Sequence, residues 1–306
     1  MLSRQMTVRS LLLLMVIVAC RDRGSASADS ARQSLPPVYS LGPLANTNWN
    51  AEAGPIMIVS RGGSSDTADV VFPEATDSTI ASFQGISPPV SGLTFDLFGR
   101  NGKVGSSIAA TPLQSLDTGR ECHSWPLARL RSGSSNWRVG FVSGHVHAVK
   151  VDSIEALSTT DSAELAAVLA RTSATLPVAT DPTFRGLPFR VRSAFTFRLD
   201  PVDVVIADVV RSVNEEANPR LEHILLVGEK PTMTTDKYKV GYYSRTAGAE
   251  ESTQATEVLA VVRVGNSQRP AVVVNIEYDD ASKLGLIERI APGQWRATWR
   301  SAYTDC

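Results

Sequence analysis

Residues 189–199 read Phe-Arg-Val-Arg-Ser-Ala-Phe-Thr-Phe-Arg-Leu. Phe189, Val191, Phe195, Phe197 and Leu199 alternate with Arg190, Arg192, Thr196 and Arg198, which gives one buried and one wet face at a period of two. Asp200-Pro201 breaks the run, and seven further apolar runs follow at 204–213, 221–229, 237–245, 256–264, 271–278, 284–289 and 295–301. Turn residues separate them: Asn218-Pro219, Lys230-Pro231, Ala247-Gly248, residues 266–270, Asp279-Asp280 and Pro292-Gly293. Eight strands joined by short turns read as an antiparallel meander. Two four-stranded sheets would result, facing each other as a sandwich or standing side by side like propeller blades. In 204–213 a helix running through Glu216 competes with the strand.

Towards the N-terminus the pattern shortens. Runs at 56–59, 70–72, 80–83, 93–98 and 104–108 are strand candidates between Gly, Ser, Pro and Asp clusters. Asn101-Gly102 between the last two tolerates the positive φ angles of a type I′ hairpin turn. A second hairpin is expected between 137–142 and 145–151, about Ser143-Gly144. One helix is expected at 162–172. Asp161 serves as its N-cap, Glu164 stands three residues on, and Leu165, Val168 and Leu169 line one face. The fold class is therefore mainly β with one clear helix, an α+β region over 38–175 and an antiparallel β region over 176–306.

The chain begins with Arg4 and Arg9, an apolar run over 11–19 and a cysteine at 20. That run is too short to span a bilayer core, which takes about 20 residues, and it reads as an export signal. Ile17-Val18-Ala19-Cys20 resembles the lipobox of bacterial lipoproteins. The resemblance implies cleavage of residues 1–19 and lipidation of Cys20, with the membrane as partner through that anchor. Arg21 in place of an aspartate after the cysteine implies the outer membrane over the inner one. Residues 20–37, rich in Ser, Ala, Arg and Asp, would form a flexible tether with nothing to bury against its ordering entropy.

Without residues 1–19 the chain keeps 28 basic and 31 acidic residues, because Arg4 and Arg9 are the only charges removed. That balance gives no electrostatic case for nucleic acid. With Cys20 lipidated, two of the three cysteines remain, and in an oxidising compartment Cys122 and Cys306 are the expected disulfide. A closed loop of that length could stabilise the fold by up to about 5 kcal/mol in the chain-entropy model.

Candidate chemistry is sparse, and no cofactor is implied. His145 and His147 would leave one strand face about 7 Å apart at the backbone, a spacing metals use, with His123 as a third ligand. The alternative is ordinary strand-end histidines. Trp295 and Trp299 would share a face of the last strand, either as an open aromatic platform for sugar rings or as core. Glu215, Glu216, Glu222, Glu250, Glu251 and Glu257 could supply two carboxylates for glycoside hydrolysis if any two met in one cleft. There is no G-x-S-x-G, P-loop, dinucleotide-binding fingerprint or H-E-x-x-H. The loop at 266–270 faintly resembles those of FG-GAP repeats but holds no acid, so no calcium site is carried over. The leading expectation is a non-enzymatic envelope lipoprotein that binds a protein or a surface glycan. An envelope-polymer hydrolase and a metal-binding protein are the alternatives.

Overall fold

The computed structural model describes residues 54–305 apart from 73, 75–89, 111–124, 132–133, 178–180, 215–217, 235–236, 266–267 and 279–280. Cys20, Cys122, Cys306, His123, Glu215 and Glu216 lie outside the described residues, as does the strand expected at 80–83. The described residues all fall within one compact unit.

Eight long strands make up the second half: β9 (Arg190–Leu199), β10 (Val202–Val213), β11 (Arg220–Pro231), β12 (Lys239–Ala249), β13 (Ala255–Val264), β14 (Arg269–Tyr278), β15 (Ala281–Ala291) and β16 (Gln294–Arg300). They match the eight runs of the meander, and 204–213 is strand, not helix. β9 to β12 pair consecutively in one antiparallel sheet and β13 to β16 in another. The first gains β8 (Asp152–Ser153) at its β9 edge. The second gains β7 (Val146–Ala148) beside β13 and β17 (Thr304–Asp305) beside β15. The two sheets face each other, because Phe195, Phe197, Val204 and Ile206 share one apolar cluster with Val258, Val261, Val272 and Ile287. The arrangement is a sandwich, not a pair of propeller blades.

A third sheet lies beyond it. β1 (Met57–Ser60), β2 (Thr67–Val70), β3 (Thr94–Gly99), β4 (Gly102–Ile108), β5 (Leu127–Arg129) and β6 (Val139–Val142) run in the order β4-β3-β6-β1-β2-β5. Met57, Phe98 and Phe141 from this sheet pack with Val262, Val273, Leu284 and Leu286 from the other face of the β13–β16 sheet. That middle sheet is thus covered on both sides, which is why 258–262 and 271–274 are unbroken apolar runs rather than alternating ones. The outer face of the β9–β12 sheet carries α1 (Thr159–Thr175), whose Leu169 packs with Ala194, Val205, Val209 and Ile224. Each of these large aliphatic side chains contributes roughly 1.5–3 kcal/mol on full burial.

Three local expectations need correction. The helix starts three residues early, because Ser158 caps it: its hydroxyl accepts from the Asp161 backbone N–H at 3.1 Å and donates to the Asp161 carboxylate at 2.7 Å. The hairpin near residue 101 exists, but Gly99 pairs with Gly102, so the turn residues are Arg100-Asn101. Only Gly102 takes a positive φ, at 115°. Ser143-Gly144 is not a hairpin turn. β6 belongs to the outer sheet and β7 to the middle one, so the chain crosses between layers there, and Val146 enters the core they share.

The two sandwich sheets are fastened by Glu229 of β11. Its carboxylate accepts from Arg289 Nε and Nη2 at 2.7 and 2.8 Å, from Trp295 Nε1 at 2.6 Å and from the Gly293 backbone N–H at 3.0 Å. Burial pushes this carboxyl up, but those four donors and the guanidinium charge outweigh it and hold it below the usual glutamate value.

Candidate functional site

Clefts open where layers part. The one with the most distinctive chemistry, of about 370 Å³, lies between the outer six-stranded sheet and the middle sheet. One wall comes from the β1–β2 hairpin: Ser60, Arg61, Gly62, Gly63 and Asp69. Ser64 shapes that hairpin loop by accepting from the Thr67 backbone N–H at 3.2 Å and donating to Asp66 at 2.8 Å. Asn136, Trp137 and Arg138 enter just ahead of β6, and Trp125 just ahead of β5. Glu257, Leu259, Asn275 and Leu284 of the middle sheet close the floor.

The charges here are paired. Glu257 accepts from Arg100 Nη2 at 2.5 Å and from Arg138, so one carboxylate lies between two guanidinium groups. Asp69 stands 3.4 Å from Arg61 Nη1. Burial pushes the Asp69 carboxyl above its ordinary value, and the Arg61 charge only partly opposes this. The indoles are not paired. Trp125 and Trp137 are 6% and 2% exposed, and neither Nε1 has an acceptor among the described residues. A buried donor left without a partner costs about 1–3 kcal/mol. Both tryptophans line the one cleft beside Asn136 and Asn275, and the Asn275 amide nitrogen donates to Glu277 Oε1 at 3.1 Å, which leaves its carbonyl oxygen as an acceptor.

Against families, curated proteins and solved structures, the chain has no match.

The residues singled out in the sequence fall elsewhere, with one exception. Trp295 and Trp299 do not form a shared platform. Leu286 pairs with Trp299 and Ile287 with Ala297, so Thr298 is an extra residue in β16, and this bulge turns the two indoles to opposite faces. Trp295 packs between the sandwich sheets and Trp299 between the middle and outer sheets, 5% and 8% exposed. His145 lies in the crossover turn and His147 is exposed on β7 opposite Arg263. Among the described residues no three His, Cys, Asp or Glu side chains gather as metal ligands.

The glutamates do not converge among the described residues. Glu222 is fully buried between Arg211 and Arg245, Glu250 and Glu251 are exposed on a short 3-10 turn, and only Glu257 reaches the cleft. The second carboxylate of the cleft is Asp69. Sequence reasoning passed over Asp69, Trp125, Trp137 and Asn275. Trp137 did carry a usable signal, since Ser134-Ser135-Asn136 before it marks a turn, and an indole beside a turn sits at the margin of a core.

A larger cleft of about 690 Å³ lies beside α1, with Asp161 and Glu164 on the helix side and Arg198, Lys230 and Lys237 across from them. Two of its cations have partners within it. Arg198 meets Asp203 at 3.2 Å and Lys230 lies 5.1 Å from the Tyr238 ring centroid. Burial, aided by Asp203, pushes the Tyr238 phenol up to about 12.

Proposed function

We propose that this protein is an envelope lipoprotein, anchored through Cys20, whose folded body is a non-enzymatic binding module. Its cleft between the outer and middle sheets takes an uncharged, polyhydroxylated ligand of the saccharide class. The observation that carries the reading is that Trp125 and Trp137, whose buried indole N–H groups have no acceptor among the described residues, both line one cleft. Saccharide hydroxyls accept such bonds and donate to Asp69, Asn136 and Asn275. Neutrality follows from the lining, where Arg61 meets Asp69 and Arg138 meets Glu257. Cleavage would require a productive carboxylate pair, and Glu257 is already engaged by two arginines.

The test is titration of neutral mono- and oligosaccharides, followed by calorimetry and tryptophan fluorescence. At least one is expected to bind. Trp125→Phe and Trp137→Phe, which remove the N–H but keep an aromatic ring, should each weaken it by about 1 kcal/mol, or roughly fivefold. Binding unaffected by either substitution, no binding by any sugar tried, or hydrolysis of a bound oligosaccharide would defeat the proposal. Labelling with a fatty-acid probe tests the anchor: Cys20→Ala should lose the label, and a native chain beginning at Met1 would reject the lipoprotein reading.

A further inference from the structure

On the opposite face of the middle sheet the sandwich opens along one seam. At its closed end β12 lies against the β15–β16 turn: a Cβ on Gly241 would come within 2.8 Å of the Gly293 carbonyl oxygen and 2.9 Å of Trp295 Cδ1. Glu229 ties the sheets together beside that contact. Away from it the sheets part around a small cavity of about 70 Å³. His223, Ser244 and Thr246 line it from one sheet, and Thr256, Lys283 and Arg300 from the other. Strand register brings these groups together. His223 pairs with Thr246 across β11 and β12, Thr256, Ile276 and Lys283 form one row across β13 to β15, and Arg300 pairs with Gly285 in the next.

Among the described residues the lining holds no carboxylate. Lys283 is 8% exposed and has no acidic partner among the described residues. Its Nζ lies 4.3 Å from the centroid of the Tyr303 ring. A cation–π contact of this kind contributes about 0.5–2 kcal/mol, less than the several kcal/mol that removing an ammonium from water costs. Arg300 is likewise without a carboxylate, and its charge reaches the Tyr242 phenol. His223 has Asp208 behind it at 3.4 Å, and Asp208 in turn has Arg192 at 3.5 Å, so that acid is already engaged outside the cavity. Tyr242, Ser244, Ala297 and Arg300 border both this cavity and an outer groove of about 550 Å³. Tyr243, Gln294 and Arg296 stand there, again with no acid among the described residues.

We infer that this seam is a second binding site, specific for a phosphate-class oxyanion, with Lys283 and Arg300 as the cationic ligands, the Thr256 hydroxyl as a neutral donor beside them, and the organic part of a phosphomonoester lying in the outer groove against Tyr243 and Arg296; the Thr246 hydroxyl is already given to the Gln254 carbonyl at 3.0 Å and Ser244 bonds the Tyr242 phenol. The lining suits a phosphate better than a carboxylate, since two cations with a hydroxyl beside them match an anion of roughly two charges and several acceptor oxygens. The phosphate could belong to a soluble sugar phosphate or to a lipid headgroup, and both present the same chemistry to the seam. This site is independent of the saccharide cleft, because it lies on the other face of the middle sheet and uses none of the same side chains.

The experiment is a thermal-shift and calorimetric titration of the purified protein with inorganic phosphate, glucose 1-phosphate and glucose at matched ionic strength. A parallel flotation assay uses phosphatidylcholine vesicles with and without phosphatidic acid. Phosphate or glucose 1-phosphate is expected to raise the melting temperature through the seam. Lys283→Met, which keeps the length of the side chain without its charge, should bind at least roughly tenfold more weakly while melting no lower than the native protein without ligand. Binding of glucose 1-phosphate identifies a soluble ligand. Binding only to phosphatidic acid vesicles, lost in both Lys283→Met and Arg300→Gln, identifies a headgroup. The inference is overturned if neither phosphate source binds, or if Lys283→Met and Arg300→Gln bind as tightly as the native chain.

Discussion

Replacing Glu229 by Gln should be among the most damaging isosteric changes in this protein. The native carboxylate takes both arms of Arg289, the Trp295 indole and the Gly293 amide, and it links β11 to β15 and β16 across the sandwich. A glutamine amide can still accept from one or two of these donors, but its NH2 then points at a guanidinium that is 19% exposed and loses its counter-charge. Breaking a buried charge pair by removing one partner costs about 3–5 kcal/mol. For a domain of this size 1 kcal/mol shifts the melting temperature by roughly 2–4 °C, so a central value of about 4 kcal/mol corresponds to a drop of roughly 8–16 °C. Chemical denaturation at pH 7 gives the free energy directly, and a double-mutant cycle with Arg289→Met isolates the pair, whose coupling should account for most of the loss. The pH dependence supplies a second readout. Because the folded carboxyl is held below its unfolded value, its stabilisation is present above the ordinary glutamate range near pH 4.3 and disappears as pH falls through the folded value. Glu229→Gln should flatten that acid limb. A loss under about 1 kcal/mol, or an unchanged acid limb, would show that the clamp does not hold the sheets together.

Gly54→Ala should prevent or severely destabilise folding, since its Cβ would fall 2.3 Å from Trp299 Nε1 at a φ of +77°, and circular dichroism melts would show the loss. Glu222→Gln leaves Arg211 and Arg245 without their shared buried anion and should cost about 3–5 kcal/mol by urea denaturation, whereas Glu250→Gln on the exposed turn should change stability by less than about 0.5 kcal/mol. Asp69→Asn should raise stability at pH 7 while weakening saccharide binding. The raised carboxyl value means that native Asp69 lowers stability as pH rises from its unfolded to its folded value, and this part of the pH profile should vanish in the variant.

The meander was legible because period-two alternation and turn residues are local. Phe189 to Leu199 announce a two-faced strand without reference to anything else in the chain. What lay beyond reach was non-local. The unbroken valines of β13 and β14 read as strands, yet their lack of alternation also meant cover on both faces, and the chain supplies that cover from residues more than a hundred positions earlier. The bulge at Thr298 leaves no compositional trace, so counting by twos placed Trp295 and Trp299 together when the backbone separates them. Ser143-Gly144 has the composition of a hairpin turn, and only the competition between the edges of two sheets decides that Val146 pairs with Val264 and not with its neighbour in sequence. The candidate cleft was hidden for the same reason. Asp69, Trp125, Trp137 and Asn275 come from four separate elements, and no spacing rule connects them.

The layering also constrains where this protein can act. A middle sheet with apolar contacts on both faces has no open surface of its own, so ligands can enter only where a covering layer ends or parts from it. One margin holds the cleft with Trp125 and Trp137, the other the seam with Lys283 and Arg300. The two differ in how their charges are resolved. In the cleft each acid already has its arginine, which leaves neutral hydrogen-bonding groups to define the ligand. In the seam the acids are drawn elsewhere: Glu229 to the closed end, Asp208 behind His223 and Glu222 to the far face of its sheet. Among the described residues Lys283 and Arg300 keep no carboxylate partner: Lys283 is left with the Tyr303 ring and Arg300 with solvent, so the charge that the clamp's glutamate neutralises at Arg289 goes unneutralised in the seam.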